Sequence, residues 1–177
     1  LIYPERITID EFELIAMGTD EGLLDAESQL EVALARTPDV PRWTYYPADL
    51  TVERARVRVE RSGEMFREGR SVRYGLWVDG VAQGTVGFGV GGEVDGGSTF
   101  YSLLESARGR GYVSRSVLKF AELLRAEGVR DFWLMTIEGN EASERIARRL
   151  GFEPAGETSE EYQGRTLQIN KWKLELS

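Results

Sequence analysis

The chain is predicted to form one α/β (α+β) domain over residues 1–177, with a mixed sheet of six or seven strands and helices on both faces. Three observations predict it. A length of 177 residues with 41% hydrophobic residues suits a single domain with room for a real core. Thr99–Leu104, rich in β-branched and aromatic residues, leads through the glycine stretch Arg108-Gly109-Arg110-Gly111-Tyr112-Val113 into a helical pattern and then the apolar run Phe132–Ile137. This is a strand-helix-strand unit. Arg73–Val78 and Val81–Val86 flank Asp79-Gly80, a strong two-residue hairpin signal.

Taken in order, Ile7, Ile9 and Phe12 alternate with polar residues and read as a first strand, broken by Gly18-Thr19-Asp20. Leu23, Ala26, Leu30, Ala33 and Leu34 form the apolar stripe of a helix that Thr19 or Asp20 caps and Thr37-Pro38 ends. Pro41-Arg42-Trp43-Thr44-Tyr45-Tyr46-Pro47 follows as a proline-bracketed aromatic loop. Thr51 caps a second helix, in which Val52, Ala55, Val59 and Phe66 share a face. Arg54, Arg56, Arg58 and Arg61 interleave with glutamates there and read as a solvated face.

Beyond the hairpin, Gly87-Phe88-Gly89-Val90-Gly91-Gly92 matches G-x-G-x-x-G, but a dinucleotide fold needs a helix to open at those glycines. Glu93-Val94-Asp95-Gly96-Gly97 continues as loop instead, so a bulged strand end and a mobile turn are expected. In the helix after the second glycine stretch, Val113, Val117, Phe120, Ala121 and Leu124 recur on one face, and Gly128 stops it. Phe132–Ile137 is apolar on both faces, as in a central strand covered on both sides. Asn140 can cap a last helix whose Ala142, Ile146 and Leu150 face inward. Two strands, 152–156 and 166–176, close the sheet across Tyr162-Gln163-Gly164.

The stretch Arg108–Val113 has the composition of a backbone cradle for an anion. Its two glycines let the main chain come close to a ligand. The first N–H groups of the following helix have no intrahelical partners and lie at the positive end of its dipole. Arg108 and Arg110 add formal charge, and Arg115 lies one turn further on, so the stretch reads as a pyrophosphate site. A flexible surface turn is the alternative.

Composition excludes much other chemistry. A net charge of −8 argues against a nucleic-acid partner and suits a cationic substrate. There is no cysteine and no histidine. Disulfides, thiolate or imidazole metal sites and Ser-His-Asp chemistry are therefore ruled out, no metal is expected, and a general base must be a carboxylate, a tyrosine, a lysine or water. No apolar run approaches membrane-spanning length and no signal-peptide pattern opens the chain, so a cytoplasmic protein without a membrane partner is expected. Because the chain opens on Leu1 rather than Met, loss of a few preceding residues is expected.

Two tracts carry a family resemblance. Arg108, Gly111 and, with a departure, Val113 match the pattern Arg/Gln-x-x-Gly-x-Gly/Ala, inside the longer tract Tyr101–Tyr112. Asn140-Glu141-Ala142-Ser143, running through a helix to Leu150-Gly151-Phe152-Glu153, is the second. Together they resemble the GNAT superfamily of acyl-CoA-dependent N-acetyltransferases, in its RimJ/RimL-like branch, firmly over residues 81–157. The resemblance implies a strongly twisted GNAT-like sheet and an acetyl-CoA (coenzyme A) donor. The N–H groups of Gly109, Arg110, Gly111, Tyr112, Val113 and Ser114 would take the pyrophosphate, with Arg108 beside them. The main chain at Leu103 and Leu104 would pair with the pantetheine and face the thioester oxygen. Asn140 and Ser143 would hold the far side of the cofactor, helix capping being their alternative role. Trp43, Tyr45 and Tyr46 would wall the acceptor site, or else plug the edge of the core.

The family's usual proton carriers are missing. Ala147 stands where many members place a tyrosine, Met135 where some place a glutamate, and Ser98, Thr99 and Phe100 where others keep a carboxylate. Ser143, whose counterpart in the RimL-like branch has an acid role, is the candidate acid. Glu138 or Glu105 is the candidate base, each with a solvated loop position as its alternative. Neutralising an α-amine of pKa near 8 at pH 7 costs about 1.4 kcal/mol, against roughly 4.6 for a lysine. A site poor in proton carriers therefore favours a weakly basic acceptor: the α-amine of a peptide or amino acid, or a similar amine on a metabolite or antibiotic. A non-catalytic acyl-CoA-binding module is the rival expectation, and the chain is expected to act as a monomer or homodimer.

Overall fold

The alternation of Ile7, Ile9 and Phe12 makes two strands rather than one in the computed structural model, which describes residues Leu1–Ser177. β1 (Arg6–Ile9) turns through Asp10-Glu11 into β2 (Phe12–Ala16), with Ile9 opposite Phe12. Asp10 takes a φ of 50° at this turn, a conformation that the short side chain of Asp tolerates better than most. No glycine signals the turn, so the break was not legible from the residues.

A 3-10 turn (Glu21–Leu23) follows, and its cap is Asp20, whose carboxylate accepts the Gly22 N–H at 2.9 Å. The helix α1 (Leu24–Arg36) continues from it. Within the proline-bracketed stretch expected as loop, Val40–Trp43 forms a short helix, α2. Pro41 near its N-terminus lacks only a donor that a first turn leaves unpaired anyway. α3 (Val52–Arg67) begins at Thr51, whose hydroxyl accepts the Arg54 N–H at 3.3 Å; such a cap stabilises by about 1 kcal/mol.

β3 (Ser71–Val78) and β4 (Val81–Val90) form the expected hairpin around Asp79-Gly80. The expected bulge at the glycine end of β4 is not there. Gly87 and Gly89 pair regularly with Phe100 and Ser98 of β5 (Gly97–Leu103), and the irregularity lies near the hairpin end instead, between Leu76 and Trp77. Glycine is required at 87 for space: a Cβ there would meet the Val72 carbonyl oxygen at 2.4 Å and the Phe100 ring at 2.6 Å.

After a 3-10 turn (Glu105–Ala107) come α4 (Tyr112–Ala126), β6 (Asp131–Ile137), α5 (Glu141–Arg149), β7 (Glu153–Tyr162) and β8 (Arg165–Glu175). All eight strands lie in one sheet of order β1-β2-β3-β4-β5-β6-β8-β7, at least one more strand than expected. Every neighbouring pair is antiparallel except β5 and β6, which α4 connects.

That parallel pairing covers only Gly97–Thr99 against Phe132–Leu134. Beyond it β5 stays with β4 as far as Leu103, while β6 follows β8 as far as Ile137. The two arms of the sheet therefore part at Thr99 and leave an opening with strand edges on both sides. The face of β6 that carries Met135 is not covered as expected, and Met135 is 38% exposed.

Helices cover both faces. On one, α4 and α5 pack on a core that includes Val86, Phe88, Phe132 and Trp172, with Phe120 stacked on Phe88 at 4.4 Å between ring centroids. On the other, α1, α2 and α3 enclose a smaller cluster around Leu34, Val40, Tyr46 and Ala55. α3 approaches the end of β2 so closely that a Cβ on Gly63 would lie 2.4 Å from the Gly18 carbonyl oxygen.

Candidate active site

The glycine stretch lies between the end of β5 and the first turn of α4. Gly109 and Gly111 both take a φ of 76°, in the left-handed region that costs most other residues about 1 kcal/mol or more. Their conformations turn the chain so that the N–H groups of Gly109, Arg110, Gly111, Tyr112, Val113 and Ser114 are left without an acceptor; the first paired amide is that of Arg115, which bonds the Gly111 carbonyl. Such a run at a helix start is an anion cradle. A Cβ at Gly109 would meet no atom within 4 Å, so the space in front of the loop is open.

Arg115 is part of the scaffold rather than a free cation. Its guanidinium donates to the carbonyls of Arg110 (2.9 Å) and Gly111 (3.3 Å), pairs with Asp10 and Glu11 of the β1–β2 turn, and lies over the rings of Phe12 and Tyr112. It thus holds the loop carbonyls on the helix side, away from an incoming anion. The hydrogen bond from Arg115 holds the Glu11 carboxyl down at about 2. Arg108 is also engaged: it makes a bidentate pair with Asp39 at 2.6 and 2.9 Å and donates to the Leu103 carbonyl at 2.9 Å. Asp39 precedes α2, so this pair ties the cradle to the opposite wall of the opening. The Asp39 carboxyl is lowered by it.

At the free edge of β5 the Leu104 N–H is occupied, bonding Gln83 O at 2.9 Å toward β4. Main-chain groups of an antiparallel strand alternate in direction. The N–H groups of Leu103 and Tyr101 therefore point into the opening, and of the pair Leu103 and Leu104 only Leu103 offers an amide there.

Two cavities meet between the arms of the sheet. One, of about 140 Å³, is lined by Asp39, Leu103, Arg108 and Val113 on the cradle side. The other, of about 310 Å³, is lined by Tyr45, Tyr46, Phe100 and Met135. Trp43, Thr44, Tyr101, Ser102, Asn140 and Ser143 line both and so form the boundary. At this boundary Ser143 Oγ accepts the Tyr101 hydroxyl at 2.9 Å and the Asn140 Nδ2 at 3.2 Å, while Asn140 Oδ1 caps α5 by accepting the Ser143 N–H at 3.3 Å. A hydroxyl accepting two hydrogen bonds has used both lone pairs, so its own hydrogen is free to be donated to a group at this boundary. Asn140 thus caps the helix with its oxygen and orients Ser143 with its nitrogen. Burial pushes the Tyr101 hydroxyl up to about 12. Tyr101 was not among the sequence candidates; a tyrosine in an apolar strand carries no distinguishing pattern.

The three aromatic candidates lie together along the second cavity in different roles. Tyr45 is 47% exposed; its hydroxyl donates to Glu160 and its ring meets Tyr162 edge-on at 4.9 Å, so it spans from the α2 side to β7. Trp43 separates the cavities. Tyr46 is buried, with its hydroxyl accepting from Arg73 and lying 3.5 Å from Thr85 Oγ1. Burial pushes that hydroxyl up to about 12.

Behind Tyr46 is a network that composition did not reveal, in which Arg73 forms a buried ion pair with Glu31 of α1. Burial raises the Glu31 carboxyl, but Arg73 outweighs it and the net direction is down. Arg58 was expected on a solvated face. Instead it turns toward the cavity, over the Tyr46 ring at 4.6 Å and 3.9 Å from Glu31. The two candidate bases are not brought to the site. Glu105 and Glu138 are both exposed, and neither lines either of these two cavities.

The chain belongs to the family described as the acetyltransferase (GNAT) domain, whose model matches residues 22–153, and it is an N-acetyltransferase of that family. The fold is shared with solved acetyltransferases. A RimL ribosomal L7/L12 α-N-protein acetyltransferase in complex with coenzyme A superposes with a TM-score of 0.78 at 22% identity, covering 96% of this chain and 97% of that one. The Salmonella typhimurium acetyltransferase that modifies the N-terminal serine of L7/L12 gives 0.82 at 22% identity, over 98% and 100%. The microcin C7 self-immunity acetyltransferase MccE, in complex with acetyl-CoA and AMP, gives 0.83 at 19% identity, over 98% of each chain. No curated protein matches by sequence. No helix is long and apolar enough to cross a membrane.

Proposed function

We propose that this chain, acting as a single domain over residues 1–177, transfers an acetyl group from acetyl-CoA to the α-amine of a peptide or amino acid, or to a similarly weak amine on a small molecule. The similar structures named above support the donor: one holds coenzyme A and another acetyl-CoA. The residues fit it. The unpartnered amides of Gly109–Ser114 suit its diphosphate, with Arg110 available as a cation beside them, and the Leu103 amide at the open strand edge suits a carbonyl oxygen. The donor brings a thioester carbonyl open to a neutral amine, with a thiolate as leaving group.

The observation that carries the reading is the hydroxyl at the cavity boundary. Ser143 lines both cavities and has both lone pairs occupied, so it presents a hydrogen where a leaving sulfur and an incoming amine would meet. Its role is to donate that proton, with Tyr101 holding it in place and able to replace the proton. Asp39 is the one carboxylate lining either cavity, and Arg108 engages it. The amine is therefore taken up neutral or loses its proton to water. That favours an α-amine over a lysine by about 3 kcal/mol at pH 7.

The protein is proposed to act in the cytoplasm as a monomer or homodimer. Free-thiol release from acetyl-CoA, measured with α-amino and ε-amino acceptors of matched sequence, tests the reading. Faster turnover of the α-amine is expected, and faster lysine acetylation would refute it. No thiol release with any amine, together with tight coenzyme A binding, would favour a binding module.

A further inference from the structure

Among the side chains lining the larger cavity, Arg58 alone carries a formal charge. Its position is not that of a surface arginine. The guanidinium lies over the Tyr46 ring at 4.6 Å, its Nε is buried without a hydrogen-bond partner, and 34% of the side chain is exposed. Glu31 cannot neutralise it fully, because that one carboxylate is shared by two guanidinium groups. Arg73 holds it in the direct ion pair, and Arg58 Nε comes only to 3.9 Å. Tyr46 offers no alternative, since its hydroxyl is taken up by Arg73 and Thr85. The wall thus carries a cation without a hydrogen-bonded counter-charge, on a planar group immobilised by stacking, in a cavity otherwise lined by aromatic, aliphatic and neutral polar residues. A site of low polarity strengthens such a charge toward an anion, and a fixed guanidinium fork is matched to planar or tetrahedral oxyanions.

We infer that Arg58 recognises an anionic group on the acceptor, so that the amine accepted by this chain belongs to a molecule that also bears a carboxylate or a phosphate. The inference rests on the amine-acetyltransfer reading above and narrows its substrate class. A carboxylate is the better match to the stacked, planar guanidinium. Free amino acids, acidic peptides and phosphopeptides are the sources that would present the required group beside an α-amine.

Matched acceptor pairs test this in thiol release with the intact protein, rates being compared per neutral amine: serine against serinamide, a seryl-aspartyl peptide against its asparaginyl counterpart, and a seryl-phosphoseryl peptide against its seryl-seryl counterpart. In at least one pair the anionic member is expected to have the higher kcat/KM, by about ten- to a hundredfold, as befits a charge-assisted hydrogen bond. The pair that responds identifies the source. Arg58→Gln is expected to abolish the preference by lowering the anionic member alone, and Arg58→Lys to restore part of it. A purely structural arginine would instead lower both members alike and depress the melting temperature without changing their ratio. Equal turnover within every wild-type pair, or a uniform loss in the variant, would overturn the proposal.

If no amine is acetylated at all, the transfer reading fails separately. Calorimetry on the coenzyme A-loaded protein then decides this one. N-acetylserine is expected to bind wild type better than N-acetylserinamide does and to lose that advantage in Arg58→Gln. Equal binding of the two by wild type would overturn it.

Discussion

Replacing Glu27 with glutamine is expected to stabilise the protein at alkaline pH, whereas the same change at Glu31, one turn along α1, is expected to destabilise it. Both carboxylates are almost fully buried, and the difference lies in what faces them. Glu27 has a single neutral partner, the Gly18 N–H at 3.1 Å, and burial pushes its carboxyl up to about 7 from an ordinary 4.5. In that window the folded chain keeps a proton that the unfolded chain has released. Stability therefore falls as pH rises from 4.5 toward 7 and stays low above it. The gap corresponds to about 3 kcal/mol at roughly 1.4 kcal/mol per pH unit.

Glutamine keeps the shape and the acceptor oxygen but has no charge to desolvate. Glu27→Gln is thus expected to gain about 3 kcal/mol at pH 8.5 and roughly half of that at pH 5.5. The gain at the higher pH raises the melting temperature by about 6 to 12 °C. Glu31 is paired with Arg73 and its carboxyl lies below the ordinary value, so its contribution is present above pH 4.5 and lost as pH falls through the folded value. Glu31→Gln leaves a buried guanidinium without its counter-charge, a loss of about 3 to 5 kcal/mol. Thermal and urea melts of wild type and both variants at the two pH values are the assay. A loss of stability in Glu27→Gln at pH 8.5, or a gain that does not vary with pH, would refute the argument that burial governs this carboxyl.

Other perturbations have expected outcomes of the same kind. Ser143→Ala is expected to lower kcat about a hundredfold with little change in coenzyme A affinity, and Tyr101→Phe to lower it less, about tenfold, since Asn140 still holds Ser143; steady-state kinetics and calorimetry separate the two quantities. Asp39→Ala removes the strut between the cradle and α2 and is expected to raise the KM for both substrates several-fold at unchanged melting temperature. Gly63→Ala drives a Cβ into the Gly18 backbone and is expected to cost about 3 kcal/mol in a urea melt, with donor affinity unaffected in the fraction that folds.

The sequence by itself determined the parts whose signals are local. Glycines at 109 and 111 followed by helical spacing read directly as a loop opening a helix, because left-handed backbone and unpaired first-turn amides depend on a few consecutive residues. The Asp79-Gly80 hairpin and the Asn140 cap were legible for the same reason, and the two motif tracts carried the family. What only the tertiary structure decided depends on residues far apart in the chain. The parting of β5 from β6 after Thr99 is a matter of which neighbour each strand follows, and it opens the site. The environments of Arg58, Arg73, Glu27 and Glu31 are set where α1, α3 and β3 meet, so a pattern of interleaved charges read as solvated could not reveal a buried pair. Tyr101 and Ser143 lie 42 positions apart and meet only because β5 and α5 flank the same opening. Spacing along a chain encodes the geometry of one element, whereas the proton path and the charge in the acceptor cavity arise between elements.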